Sequence, residues 1–420
     1  GRPSDCRRLK SKALGGSKAR SGMLPSSPRS AASALVSPGA TRMSVLVRHV
    51  APSSQLEGAA PAPDGAAPPL PLACACSAVE GRGKPMSWCV VGAGAIGGLV
   101  GARLAQVGEQ VTLIARRDHL AAMKSQGGIR VVALDGSEAM VPLRAVATPA
   151  EAGPVDVVII ALKAHQILPL LDDLPKLFHA STVVLSMQNG LPWWYFLRHG
   201  GAFEGRPLRA VDPDGQLLAG IAPERIVGCI PYPAAHLRAP GEVVHTEGTQ
   251  LPLGELDGTT SERSQRISAA FTAAGFRAPV LENIRSNMWV KLLGNLCFNP
   301  IGAMTHSTLD VIATYPPSVA MVRAAMEEAA AIAASLGITL DVTVDRRIKG
   351  AARVGPHKPS TLQDVEAGKP TEVDALIVAV VELAELTGTP APTIRTLCAC
   401  MQLLNKTVEE KGVKIQAMPL

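Results

Sequence analysis

Cys89-Val90-Val91-Gly92-Ala93-Gly94-Ala95-Ile96-Gly97 joins a short apolar run to a G-x-G-x-x-G turn, and the residues from 99 to 107 that follow are mostly apolar and helix-forming. Val111-Thr112-Leu113-Ile114 then supplies a second β-rich run. The spacing predicts one βαβ unit. In such a unit the first glycine permits a tight turn, the second lets the backbone approach a pyrophosphate, and the third lets the helix pack closely on the strand. The helix N-terminus then faces the phosphates. Gly92, Ala93, Gly94, Ala95, Ile96 and Gly97 are therefore the expected cofactor-binding residues, the plainer alternative being a glycine-rich βα turn with no ligand.

Downstream, residues 128–146 are rich in β-formers around Asp135-Gly136, which reads as a hairpin. Two near-continuous apolar runs follow: Val155 to Leu162, ending at Lys163, and Thr182 to Ser186, ending at Gln188-Asn189-Gly190. Apolar strands separated by helical segments indicate a parallel sheet covered on both faces. Ligands of such sheets sit outside the carboxyl ends of the strands, where Lys163 and Asn189 lie. From 193 to 258 the pattern weakens into turns and short strands, clearest at Ile226-Val227-Gly228-Cys229-Ile230, which suggests an antiparallel extension of the sheet. Beyond Ser261 the periodicity is helical at 263–274, 284–298, 317–336, 362–366 and 372–387. The expected fold class is α/β, a Rossmann-type doubly wound sheet followed by an all-helical C-terminal domain. The expected bounds are 86–260 and 261–410, with a tail at 411–420.

Residues 1–85 stand apart. They hold 12 Lys and Arg against four Asp and Glu, a net of +8, whereas the 420-residue chain carries +6, so the remainder is near −2. Rich in Ala, Pro, Ser, Gly and Arg and without apolar periodicity, this leader is expected to be disordered. It reads equally as an organelle transit peptide or as translated upstream sequence, so the expected location is the cytoplasm, or a mitochondrion or plastid under the first reading. The body lacks a basic stripe, and aromatic residues make up 3% of the chain, which argues against a nucleic-acid partner. No apolar run reaches the ~18 residues of a membrane span. Cys74/Cys76 and Cys398/Cys400 have no nearby histidine, so no metal site is expected, and Cys89, Cys229 and Cys297 read as buried thiols.

Two clusters could carry chemistry. In the helical segment from Ile284, Lys291, Asn295 and Asn299 recur at i, i+4 and i+8 and share one face, flanked by Leu292, Leu293, Leu296 and Phe298. An amine and two amides among apolar neighbours call for an anionic, oxygen-rich ligand, although the row would be ordinary on a solvent-facing helix. Ser360 and Thr371 each precede a helical run and read as helix caps, with Glu372 and Asp374 favourable near an N-terminus. After the second strand, Ala115-Arg116-Arg117 stands where NAD-specific folds place an acid. Cations there suit a 2′-phosphate, so Arg116 points to NADPH.

With these motifs in order, residues 86–404 resemble the ketopantoate reductases (2-dehydropantoate 2-reductases). The resemblance rests on the glycine turn, Leu162-Lys163-Ala164, Gln188-Asn189-Gly190, Lys291 with Asn295 and Asn299-Pro300, and Ser360 through Leu362-Gln363-Asp364 to Thr371-Glu372. It implies an NADPH-binding Rossmann domain, a helical domain, and an active site in the cleft between them. It further implies that Lys291 is the general acid that protonates the carbonyl oxygen and that Glu372 orients it. Asn295, Asn299 and Ser360 would bind substrate, and Lys163 and Asn189 would bridge cofactor and substrate. The partner implied is a small 2-keto acid, ketopantoate or, in a paralogue, another branched one; the alternative of a different class is a non-catalytic NADPH-binding regulator that kept the glycine turn but lost turnover. One departure is the loop Pro192-Trp193-Trp194-Tyr195-Phe196, with a long excursion through Asp212-Pro213-Asp214-Gly215. It could reshape the substrate pocket, cover the sheet edge, or serve a homodimer contact.

Overall fold

The first strand, β1 (Ser87–Val91), is a run of side chains buried from Trp88 onward, and it leads through the glycine turn into α1 (Ala95–Gln106). In the computed structural model, which describes residues 84–417, β2 (Gln110–Ile114) pairs parallel to β1. Then come α2 (Arg117–Gln126), β3 (Gly128–Val132), β4 (Glu138–Pro142), β5 (Arg144–Val146), α3 (Pro149–Ala152), β6 (Val155–Ile160) and β7 (Phe178–Ser186). A short α4 (Gln216–Gly220) precedes β8 (Ile226–Cys229), β9 (Ala234–Ala239), β10 (Glu242–Glu247) and β11 (Leu253–Glu255). The main sheet runs β11-β8-β7-β6-β1-β2-β5, parallel throughout except that β11 opposes β8. Buried on both faces, its strands need the continuous apolar sequence they have.

The hairpin at Asp135-Gly136 forms, with β3 and β4 antiparallel, but it does not extend the main sheet. It builds a second sheet, β4-β3-β10-β9, in which β3 and β10 are parallel neighbours. The expected antiparallel extension is likewise corrected. β8 joins β7 in parallel, β9 and β10 leave for the small sheet, and only β11 is antiparallel to the main one. Helix α1 lies between the two sheets. A Cβ at Gly101 would sit 2.5 Å from Leu113 of the large sheet, and one at Gly98 would sit 3.0 Å from Ile129 and Val243 of the small one. Small residues on both faces let the three layers close, and pairing rather than hydrophobicity decides which sheet each β-rich segment joins.

Helix α5 (Glu262–Ala273) buries Ile267, Ala270 and Phe271 in the cluster that also holds Trp88 and Leu104. It therefore packs with the sheet, although the sequence reading starts the helical domain at 261. The helical part is α6 (Ile284–Thr305), α7 (Leu309–Thr314), α8 (Pro316–Ser335), α9 (Val344–Val354), α10 (Ser360–Ala367), a π-helical turn (Asp374–Val378), α11 (Ala379–Thr387) and α12 (Pro392–Lys411). Helices α7, α9 and α12 were not anticipated from periodicity. Helix α9 is rich in Arg and Lys, with only Ile348 and Ala351 fully buried. Residues after α12 return to α10, where the Ile415 amide donates to the Val365 carbonyl.

The aromatic loop is interior: Trp193, Trp194, Tyr195 and Phe196 are at most 1% exposed and join the core cluster of α6 and α8. Trp289 of α6 donates its indole N–H to the Tyr195 hydroxyl at 2.7 Å. Buried Arg285 donates to the carbonyls of Tyr195, Leu256 and Leu197. These rings are closed off from any partner chain, so the dimer-contact role for them is set aside. Asp212 of the excursion is also buried and accepts from the Leu217 and Leu218 amides, capping α4. Among the described residues Cys89, Cys229, Cys297 and Cys398 are buried free thiols and Cys400 is exposed. No helix among them is long and apolar enough to cross a membrane, and no cluster of metal-ligating side chains is present among them. The leader, but for its last two residues, and Cys74/Cys76 lie outside the described residues.

Candidate active site

The glycine turn is shaped by contacts that larger residues would break. Gly92 has φ +103°, and a Cβ on it would stand 2.6 Å from Leu162; one on Gly97 would stand 2.1 Å from the Gly92 carbonyl oxygen. Gly94 is exposed, with nothing within 4 Å of its Cβ direction. No side chain caps α1 and no acid occupies its first turn, so its N-terminal amides have no side-chain partner at the positive end of the helix. That cradle fits a dinucleotide diphosphate. At the end of β2, Arg116 and Arg117 are both exposed, and Arg117 adopts φ +53°, uncommon for a residue with a side chain.

β6 and β7 are parallel neighbours, so the turns that follow them, at Lys163 and at Gln188-Asn189-Gly190, share the carboxyl edge of the sheet. Gly190 has φ +77°, and a Cβ there would collide with the Ala375 carbonyl at 2.3 Å. The Leu191 amide donates to that same carbonyl at 2.9 Å. The π-helical turn, a form frequent at functional sites, thus docks on the sheet edge and brings Glu372 with it.

There the side chains of both parts meet. Lys291 Nζ donates to Asn189 Oδ1 at 2.6 Å and to the Pro231 carbonyl, and it stands 5.4 Å from the centre of the Tyr232 ring. Asn189 Nδ2 donates to Glu372 Oε2 at 3.2 Å. Glu372 therefore reaches Lys291 through an amide rather than by direct contact. Burial pulls the Lys291 ammonium down to about 8, against the attraction of Glu372, while the Arg347 charge lowers it further. Burial pushes the Glu372 carboxyl up, opposed by Lys163, Asn189 and Lys291. Lys163 Nζ donates to Asp364 Oδ2 at 2.8 Å and to the Pro370 carbonyl at 2.7 Å, tying the β6 edge to the helical part.

Asn295 lines a hollow beside Lys291 with Gly190, Trp194, Cys229 and Met288. One turn further along α6, Asn299 Nδ2 donates to Ser360 Oγ at 3.3 Å; it lies outside the hollow that Lys291 and Asn295 share. The helix-cap readings are corrected. Ser360 begins α10 without making a capping bond, and Thr371 uses both its amide and its hydroxyl on Asn405 Oδ1, each at 2.8 Å. Their partners on other helices outcompete the local backbone. Lys163, Asn189, Lys291, Asn295 and Glu372 converge at one edge, Asn299 and Ser360 adjoin them along α6, and Arg116 and the glycine turn belong to the neighbouring strand ends.

Sequence reasoning missed several participants. Ser186 accepts from the Trp194 indole at 2.8 Å and donates to Gln188, which in turn donates to the Ile160 carbonyl at 2.7 Å. This buried network fixes the Asn189 turn from beneath. Asp364 was visible only as part of a polar cluster, and Arg347 belongs to a helix that periodicity did not reveal; no local pattern marks either.

A parallel sheet with an open glycine turn, joined to helices that lay a lysine over its carboxyl edge, defines a two-domain α/β protein of the dinucleotide-binding class. Comparison with known families makes this specific. Residues 88–258 match the model described as "Ketopantoate reductase PanE/ApbA", and residues 283–405 match its C-terminal counterpart. A 2-dehydropantoate 2-reductase of Mesorhizobium japonicum is 47% identical over 328 residues, covering 78% of this chain and 99% of that one. A solved chain from Ralstonia solanacearum MolK2 superposes with a TM-score of 0.73 at 36% identity, covering 78% and 99% of the two chains. A PanE/ApbA family ketopantoate reductase from Ralstonia eutropha JMP134 gives 0.66 at 26%, covering 77% and 100%. The chain belongs to the ketopantoate reductase family.

Proposed function

We propose that this protein reduces a 2-keto acid, foremost ketopantoate, to the 2-hydroxy acid with NADPH, the step that supplies pantoate for pantothenate and coenzyme A synthesis. The observation that carries this reading is the lysine held at the sheet's carboxyl edge by Asn189, with Glu372 behind it. A bound nicotinamide supplies hydride to the carbonyl carbon. Lys291 meets the charge that develops on the carbonyl oxygen, first as a hydrogen-bond donor and then by passing over its proton. Glu372 and Asn189 keep the amine protonated and aimed. Asn295, Asn299 and Ser360 offer amide and hydroxyl groups that bind polar groups of the substrate. Arg116, exposed just after β2, would meet a 2′-phosphate and so favours NADPH over NADH. The reading places the reaction in the cytoplasm, or in an organelle if residues 1–85 act as a transit peptide.

A second reading keeps the chemistry and changes the substrate: Trp194 stands behind the narrow hollow beside Lys291, and its bulk there would select among 2-keto acids, so another branched 2-keto acid is the alternative substrate. The test is oxidation of NADPH by the purified protein, followed by loss of nicotinamide absorbance, with ketopantoate and a panel of other 2-keto acids. Turnover of ketopantoate above all others supports the first reading, and preference for another acid supports the second. A protein that binds NADPH and reduces none of them refutes both.

A further inference from the structure

Helix α6 carries a second feature beside its polar row. Gly294, one turn on from Val290, has no side chain because the Arg347 guanidinium of α9 lies over it: a Cβ there would stand 2.4 Å from Arg347 Nη2. Arg347 Nε donates to the Val290 carbonyl at 3.0 Å, which fixes the group against the helix. Gly294 neighbours Lys291 on the helical surface, at i+3. Tyr232, whose ring faces Lys291 Nζ, feels the Arg347 charge as well. Two cations and a phenol are thus gathered on one stretch of α6.

Arg347 has no carboxylate. Among the described residues it makes no ion pair, unlike Arg263 with Glu255 or Arg323 with Asp345, and its one hydrogen bond leaves most of its donors for another acceptor. A largely enclosed guanidinium ordinarily has a counter-charge, because an uncompensated one is destabilising. We propose that the missing counter-charge is the substrate's carboxylate, and that Arg347 is the anchor that sets a 2-keto acid with its keto oxygen on Lys291. In a 2-keto acid the carboxylate is bonded directly to the carbonyl carbon, so its partner must lie next to the proton donor, which is where Gly294 makes room for Arg347. A planar guanidinium matches a carboxylate in two parallel hydrogen bonds. The assignment rests on the reading of Lys291 as proton donor to a 2-keto acid.

The experiment compares wild type with Arg347→Gln, Arg347→Lys and Gly294→Ala, measuring kcat and KM for ketopantoate, the Kd of NADPH and the Tm. Loss of a charged hydrogen-bonding partner should raise KM roughly 10- to 100-fold in Arg347→Gln, with NADPH affinity and Tm unmoved. Arg347→Lys should recover part of the loss, since it restores charge without the paired geometry. Gly294→Ala keeps the arginine and favours the helix, yet its methyl displaces the guanidinium, so its KM should rise with Tm held or increased. This variant keeps the test decisive if Arg347→Gln does not fold. An unchanged KM in Gly294→Ala and Arg347→Gln, or a KM that rises only together with a lower Tm and weaker NADPH binding, overturns the anchor and leaves the proposed reaction standing. A wild-type protein that reduces no 2-keto acid overturns the reaction and the anchor together.

Discussion

Replacing Glu372 by glutamine should move the pH profile of the reaction, by an amount the structure sets. Lys291 must be protonated to act as the acid, and with its ammonium held at about 8 the wild-type kcat/KM should fall above that pH. The path from Lys291 to Glu372 is a 2.6 Å hydrogen bond, the Asn189 amide and a 3.2 Å hydrogen bond. That places the charges roughly 7 Å apart, worth about 2 kcal/mol at an effective dielectric near 20 and hence about 1.5 pH units, or about 1 unit once solvent screening is included. A carboxylate favours the ammonium, so removing its charge lowers the lysine's pKa. The alkaline limb should therefore move from about 8 to about 7, and the variant should lose more activity at pH 8 than at pH 6. The assay is initial-rate NADPH oxidation across pH 5.5 to about 9.5, fitted for the limb. An activity lowered equally at every pH, with the limb in place, would show that Glu372 does not govern Lys291 and would refute the relay through Asn189.

Lys291→Ala should lower kcat by about 100-fold or more while the Kd of NADPH, measured by fluorescence titration, changes less than about threefold; parallel loss of both would remove Lys291 from the chemistry. Arg116→Ala should weaken NADPH by about 10-fold and leave NADH nearly unchanged, and an unaltered preference in competing titrations would move the 2′-phosphate contact elsewhere. Arg285→Leu strips three buried carbonyls of their partner and should destabilise the fold by about 3 kcal/mol or more in urea unfolding, whereas a change under about 1 kcal/mol would mean that the loop from 193 to 197 holds itself.

The strongest local signals led furthest. Continuous apolar runs at 155–162 and 182–186 identified parallel strands because a sheet buried on both faces tolerates little else, and two glycines of the turn, Gly92 and Gly97, have contact reasons in the structure, while Gly94 stands open. The row Lys291-Asn295-Asn299 was legible because helical periodicity alone puts those residues on one face. The small sheet was not legible, since β3, β4, β9 and β10 have the same propensities as strands of the main sheet and only long-range pairing separates them. Helix α9 is amphipathic, with Val344, Ile348, Ala351 and Ala352 on its packed face, but those few apolar positions are interrupted by five charged residues over a short span.

The sequence by itself determined which residue types were available, where the glycine turn and the helix with the polar row lie, and that the two halves differ in kind, because these follow from local sterics and from periods of two and 3.6 residues. Tertiary structure alone decided that Glu372 meets Asn189 rather than Lys291 directly, that Ser360 and Thr371 bond to Asn299 and Asn405 instead of capping helices, and that the aromatic loop is core. It also laid Arg347 over Gly294, across 53 positions of sequence. Hydrogen bonds and charges act through space over a few ångströms, and in the folded chain those distances are set by how layers pack, which no local pattern encodes.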